Sequence, residues 1–179
     1  MNICICLKGG CMTCDLVIDL EHDTTTDPVQ TRITFNDLEL YTGPLSGRQS
    51  RMYFSTPSYT DHNSLKVYLL NKSDEDGTEV DTAGLILRDT FINVKSVLVD
   101  KRKLKYMLFD RGLIFTNDGA SVKYSTYLSS NGYYEICFAL PIKKVLQEYY
   151  STFIYTNNRD VQKDIEDIDK LLLDFEEEQ

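Results

Sequence analysis

Apolar and polar residues alternate with period two along much of this chain, most cleanly between Lys103 and Leu140. Val122, Tyr124, Thr126 and Leu128 alternate with Ser121, Lys123, Ser125 and Tyr127, and Tyr134, Ile136, Phe138 and Leu140 alternate with Tyr133, Glu135, Cys137 and Ala139. One apolar face at period two predicts half-buried antiparallel strands. Three turn signals, Asp110-Arg111-Gly112, Asn117-Asp118-Gly119 and Ser130-Asn131-Gly132, put Gly, Asn or Asp where hairpins need positive φ. The stretch is therefore expected to form a β-meander that serves as the core sheet.

Upstream, the same rhythm predicts strands with inward Leu16, Ile18 and Leu20, then Val29, Thr31, Ile33 and Phe35, then Leu65, Val67 and Leu69. Apolar alternation resumes at Leu38 and Leu40 one residue out of step, so Asn36-Asp37 marks a bulge or a tight turn. Met52-Tyr53-Phe54, Gly84 to Leu87 and the β-branched run Thr90 to Val99 add further strands, separated by polar loops. Pro141 changes the period. Ile142, Val145, Leu146, Tyr149 and Phe153 recur at helical spacing behind it, although the β-branched and aromatic run Thr152 to Thr156 allows an extended finish.

A second helix is expected after Asn157-Asn158, with Asp160 in its first turn. Val161, Ile165, Ile168, Leu172 and Phe175 step by four, three, four and three, a seam of two heptads on an otherwise charged segment. Two heptads are too short to be stable alone, so this seam must lie on its own domain or on a partner. The expected fold class is mainly β, an antiparallel meander closed as a sandwich or a barrel, with one or two C-terminal α-helices. Residues 1–158 form a β-rich domain that opens on a Cys-rich segment, 1–14. Residues 159–179 form the acidic amphipathic helix.

Charge sharpens this division. The net charge is -9, and Asp160 to Glu178 holds nine acids against two lysines, which is -7 of it. Nucleic-acid binding rests on Lys and Arg neutralising phosphates, so direct binding is not expected. The basic cluster Lys101, Arg102, Lys103 and Lys105 fits a solvated strand end or turn. No apolar run is long enough for a membrane helix, and Met1 to Leu7 is too short for a signal peptide, so synthesis in the cytoplasm is expected.

Four of the five cysteines, Cys4, Cys6, Cys11 and Cys14, fall in the first fourteen residues around Gly9-Gly10. Two thiolate pairs brought together by that turn would suit a tetrahedral zinc site. The C-x-C-x4-C-x2-C spacing is more compact than structural zinc sites usually are. Reduced, ligand-free cysteines, a metal site and a disulfide all remain open, and zinc is the single cofactor considered. His22 and His62 each sit beside acids in expected turns. Asp74 and Asp76 fall on ligand positions of a calcium loop, but Lys72 and Ala83 occupy two others, and the loop reading fails.

The hallmarks of hydrolases, metalloproteases, phosphate-binding loops and dinucleotide folds are missing, so a non-enzymatic role is expected. Many short strands, abundant Tyr, Thr, Asn and Asp, long polar loops and an amphipathic tail suit a subunit that buries edges against neighbours. In these respects the chain resembles an accessory virion protein of a tailed bacteriophage, a head, neck or tail component. The resemblance implies a structural subunit used in many copies, a homo-oligomer or part of a larger assembly, located in the virion. Its partners would be other protein subunits, reached through loops and through Val161, Ile165, Ile168, Leu172 and Phe175. A small zinc-stabilised adaptor organised by Cys4, Cys6, Cys11 and Cys14 is the alternative.

Overall fold

Two antiparallel sheets, each with one apolar face, carry the alternation in the computed structural model. The structure describes residues 12–23, 28–59, 61–72, 77–105, 107–117, 121–123 and 125–157. In chain order the elements are β1 (Met12–Asp23), β2 (Gln30–Phe35), β3 (Leu38–Pro44), β4 (Gln49–Ser58), β5 (Asn63–Leu69), β6 (Thr78–Val80), β7 (Ile86–Asp89), β8 (Phe91–Val99) and β9 (Arg102–Lys103). After these come α1 (Met107–Asp110), β10 (Leu113–Thr116), β11 (Ser121–Lys123), β12 (Tyr127–Leu128), β13 (Gly132–Phe138) and α2 (Ile142–Asn157). The fold is mainly antiparallel β, as expected. Both large sheets have open strand orders: β12-β8-β1-β4, with β9 added to β8, and β11-β10-β13-β5-β2-β3. Among the described residues this excludes a closed barrel. Strands β6 and β7 pair only with each other.

The core comes from the inward positions. Leu16, Ile18 and Leu20 of β1 are at most 1% exposed, as are Ile33 and Phe35 of β2 and Leu65, Val67 and Leu69 of β5. Each such side chain contributes about 1.5–3 kcal/mol by leaving water. A sheet face this dry needs a covering layer, so the two sheets bury their apolar faces in one core.

Parity in β8 is corrected by one inserted residue. Asp19 pairs with Ser96 while Leu20 pairs with Val94, so Lys95 is bulged out. Ile92 and Val94 before the bulge, and Val97 and Val99 after it, can then all face inward. Lys95 points its ammonium to Glu21, 3.1 Å away. The turn Asn36-Asp37 joins β2 to β3 with φ of 51° and 62° at its two central residues, and Asp100-Lys101 repeats this with 49° and 65° between β8 and β9. Both are the left-handed two-residue turns that match strand twist. The basic cluster at Lys101 is thus a turn at a strand end, as expected.

The stretch from Lys103 to Leu140 departs from a simple meander. β10, β11 and β13 join one sheet, while β9 and β12 join the other. The reason lies at Asp110-Arg111-Gly112, which is not a hairpin turn. The chain coils through α1, and Arg111 N–H closes on Met107 O at 3.0 Å. The buried Tyr134 hydroxyl donates to Leu108 O at 2.7 Å, tying this turn to β13. Gly112 makes that approach possible: a Cβ there would lie 2.2 Å from Leu108 O and 2.4 Å from the Tyr134 hydroxyl oxygen.

The chain divides into two compact units, Met1–Ile142 and Lys143–Gln179. Within the second, α2 runs as one helix to Asn157, so the extended finish is not adopted. Ser151 and Thr152 hydroxyls both donate to Glu148 O at 2.9 Å. The β-branched residues cost a few tenths of a kcal/mol each, too little to end a helix already propagating. Segment 159–179, with its heptad seam, lies outside the described residues.

Gly112→Ala should lower the unfolding free energy by about 1–3 kcal/mol through overpacking against α1 and Tyr134. Urea denaturation measures it, and an unchanged midpoint would remove Gly112 from this role.

Candidate functional site

The hairpin of β6 and β7 carries a strongly exposed apolar cluster. Val80, Leu85, Ile86 and Leu87 are 53%, 66%, 64% and 58% exposed. Its tip is built on Asp81, whose carboxylate accepts from the backbone N–H groups of Ala83 and Leu85, each at 2.8 Å. Asp81 N–H also donates to Leu85 O at 2.8 Å, and Gly84 N–H donates to Asp81 O at 3.0 Å. An Asp turn of this kind fixes the backbone without help from the tip's apolar side chains.

The base is fixed as firmly. Asp89 accepts from Lys72 Nζ at 2.5 Å, Thr78 Oγ1 at 2.7 Å and the Tyr127 hydroxyl at 3.3 Å. Thr90 N–H donates to Gly77 O at 2.8 Å. The Lys72 backbone is clamped by the Asn131 amide, which accepts from Lys72 N–H at 2.8 Å and donates to Lys72 O at 2.7 Å. Tyr127 stacks on Phe91 with centroids 4.8 Å apart. Burial, followed by the Asp89 charge and hydrogen bond, pushes its phenol up to about 12, so it donates at all ordinary pH.

A second surface lies on the outward face of the larger sheet. Strand register sets Phe115 opposite Tyr133, Tyr133 opposite Tyr68, Tyr68 opposite Arg32 and Arg32 opposite Thr42. Phe115 and Tyr133 stack at 4.9 Å, Tyr133 and Tyr68 at 5.1 Å with a tilt of 39°, and the Arg32 guanidinium covers Tyr68 at 4.2 Å. The next row holds Lys66 and Glu135, 3.9 Å apart, with Ser64 Oγ donating to Glu135 at 2.5 Å.

The residues singled out from sequence are placed differently. His22 is not a solvated turn residue. β1 continues through it to Asp23, its ring is 2% exposed, and Nε2 lies 3.0 Å from Ser50 Oγ. It follows Leu16, Ile18 and Leu20 in the inward parity, which the neighbouring acids obscured. His62 is exposed between β4 and β5, as expected of a turn. Cys14 is a core residue, 1% exposed. Burial and the nearby Asp100 charge push its thiol up to about 11 against a hydrogen bond with Ser58. Cys4, Cys6 and Cys11, like Val161, Ile165, Ile168, Leu172 and Phe175, lie outside the described residues. Among the described residues, no group of three or more His, Cys, Asp or Glu is placed to hold a metal, and no helix is long and apolar enough to cross a membrane.

The hairpin cluster was half visible in sequence. Gly84 to Leu87 reads as an apolar strand, but nothing local tells whether such a strand is buried. The aromatic row was invisible, because its members are outward positions of four separate strands and meet only through register.

No protein-family model matches the sequence, and no curated protein matches it. Among solved structures, the chain is similar to the selenomethionine form of vCBM60, described with two families of calcium-dependent carbohydrate binding modules. That similarity is 13% identity and a TM-score of 0.47, over 69% of this chain and 89% of the module. For vCBM60 in complex with galactobiose the identity is 15% and the TM-score 0.43, over 70% of this chain and 97% of the module.

Burial lowers the His22 imidazole pKa below its ordinary value, and the Asp23 charge opposes this only in part. The folded state therefore binds a proton less readily than the unfolded state. His22 contributes no penalty above about pH 6.5, and stability is lost as pH falls from there through the lower folded value. His22→Gln should flatten that part of a melting-temperature profile between pH 7 and 5, and an identical slope in both proteins would sink the assignment.

Proposed function

We propose that the protein is a non-enzymatic assembly subunit, used in many copies and contacting neighbouring copies through the β6–β7 hairpin and the C-terminal segment 159–179. The observation that carries this reading is the hairpin. A two-stranded sheet with four large apolar residues more than half exposed has the composition of an interface core, whereas protein surfaces generally scatter such residues singly. Its backbone is ordered at tip and base before any partner arrives, so little conformational entropy is lost on docking. A virion head, neck or tail, the setting implied by the resemblance above, is an assembly of this repetitive kind.

The described nucleophiles support a non-catalytic role. The Cys14 thiol is held protonated in the core, and burial and the Glu135 charge push the Cys137 thiol up. Neither is the activated thiolate that covalent catalysis requires. His22, engaged with Ser50 and disfavoured as imidazolium, is poorly suited to general-base work.

Sedimentation velocity of the full chain across a concentration series tests the proposal. The unaltered protein should form oligomers. Leu85→Ser with Leu87→Ser should shift the distribution at least tenfold towards monomer while leaving the melting temperature within about 2 °C, since exposed positions contribute little to the fold. Removing residues 160–179 should also weaken association. A protein that stays monomeric throughout, or oligomers indifferent to both changes, would refute it.

A further inference from the structure

The geometry points to the row Phe115, Tyr133, Tyr68 and Arg32 as a binding strip for an extended, uncharged oligosaccharide. Four features of the row select this ligand chemistry. The first is which part of each ring is free. Centroid spacings of 4.9 and 5.1 Å and the guanidinium at 4.2 Å give Tyr133 and Tyr68 a neighbour on both sides of the row and Phe115 a neighbour on one. The row therefore offers ring edges to a ligand, and an aromatic edge is electropositive.

The second feature is an excess of donors. Arg32 has no carboxylate partner among the described residues, and its buried Nε has no hydrogen-bond partner there. Because Nε is closed off from solvent, the terminal guanidinium nitrogens, which donate and do not accept, are the groups that an oxygen from outside would meet. Among the described residues, neither the Tyr68 nor the Tyr133 phenol is used in a hydrogen bond. Edges, phenols and a guanidinium together complement a ligand dense in hydroxyl and ether oxygens.

The third is compensated charge. Lys66, in the row next to the aromatic one, lies 3.4 Å from Asp37 and 3.9 Å from Glu135, so its charge is compensated and does not add to that of Arg32, and the chain as a whole is at -9. A polyanion such as a nucleic acid would be repelled. An apolar protein surface would have to bury Arg32, Lys66 and Glu135 against groups that give no hydrogen bonds, at several kcal/mol. A neutral polyol meets neither obstacle.

The fourth is shape. From Phe115 on β10 to Thr42 on β3 the row crosses four strand spacings, about 19 Å at roughly 4.8 Å each. That length suits a chain of sugar rings, and the row lies on a face whose backbone is already fixed by the sheet.

Native electrophoresis through gels containing xyloglucan, galactomannan, mixed-linkage β-glucan or polygalacturonate tests the strip. At least one neutral polysaccharide should retard the full-length protein, and polygalacturonate should not. Tyr68→Phe with Tyr133→Phe keeps the stack and removes both hydroxyls, and should weaken retardation at least fivefold with an unchanged circular dichroism spectrum. Arg32→Ala should abolish it. The Leu85→Ser, Leu87→Ser protein should be retarded as strongly as the unaltered one, which separates this site from the assembly surface. Equal mobility in all gels, retardation by the acidic polymer alone, or retardation indifferent to Tyr68, Tyr133 and Arg32 would overturn the proposal.

Discussion

The structure depends on one constraint, that each of two sheets must hide one face, and strand parity enforces it. In a strand, a slip of one residue moves every apolar side chain to the wet side. Cys14, Leu16, Ile18, Leu20 and His22 keep one parity along β1, so from Cys14 onward it acts as the reference to which its neighbours adjust. The insertion of Lys95 is that adjustment in β8. A second one occurs where Ile33 pairs with Tyr41 but Thr34 with Glu39, which bulges Leu40 out of β3. The Lys95 bulge leaves the inward set of β8 intact and puts the irregularity on the outer face.

The same constraint explains why both candidate surfaces lie where they do. Once the inward positions are taken by apolar residues, the outward positions of β10, β13, β5 and β2 are free of packing demands from the core. Four planar side chains in one cross-strand row then stabilise each other by stacking, about 0.5–1.5 kcal/mol per aromatic pair beyond burial. The β6–β7 hairpin belongs to neither layer. It is held by Asp89 and Asn131, polar groups that grip the chain at the hairpin's base, so its apolar residues are not needed for its own folding.

Local sequence therefore reveals some things and conceals others for definite reasons. Period-two patterns located the inward residues of β2, β5 and β13 and those of β1 from Leu16 to Leu20, because burial on one sheet face is a local property of a strand. Asn36-Asp37 was legible because two consecutive residues with positive φ have a narrow composition. Strand partners were not legible. The run from Ser121 to Leu128 keeps unbroken alternation while its two halves join different sheets, and alternation is blind to which sheet a strand enters. Gly112 was seen as a turn signal, yet its function is to admit Tyr134, a residue more than twenty positions away. His22 was misplaced because flanking acids are a polarity signal, while inward parity at its position comes from the strand behind it.

The two surfaces also differ in what they exclude, and this separates their roles. The segment Leu85-Ile86-Leu87 carries no polar side chain, so it gains most from a partner that removes water completely, which is the chemistry of a subunit interface. The aromatic row keeps a guanidinium and two phenols at its rim, and these lose hydrogen bonds with water unless a ligand replaces them. An interface core tolerates variation in partner shape but not residual water. A donor-lined strip tolerates water but not a partner without acceptors. The two proposed roles are therefore compatible in one chain, contact with neighbouring copies through the hairpin leaving the sheet face hydrated.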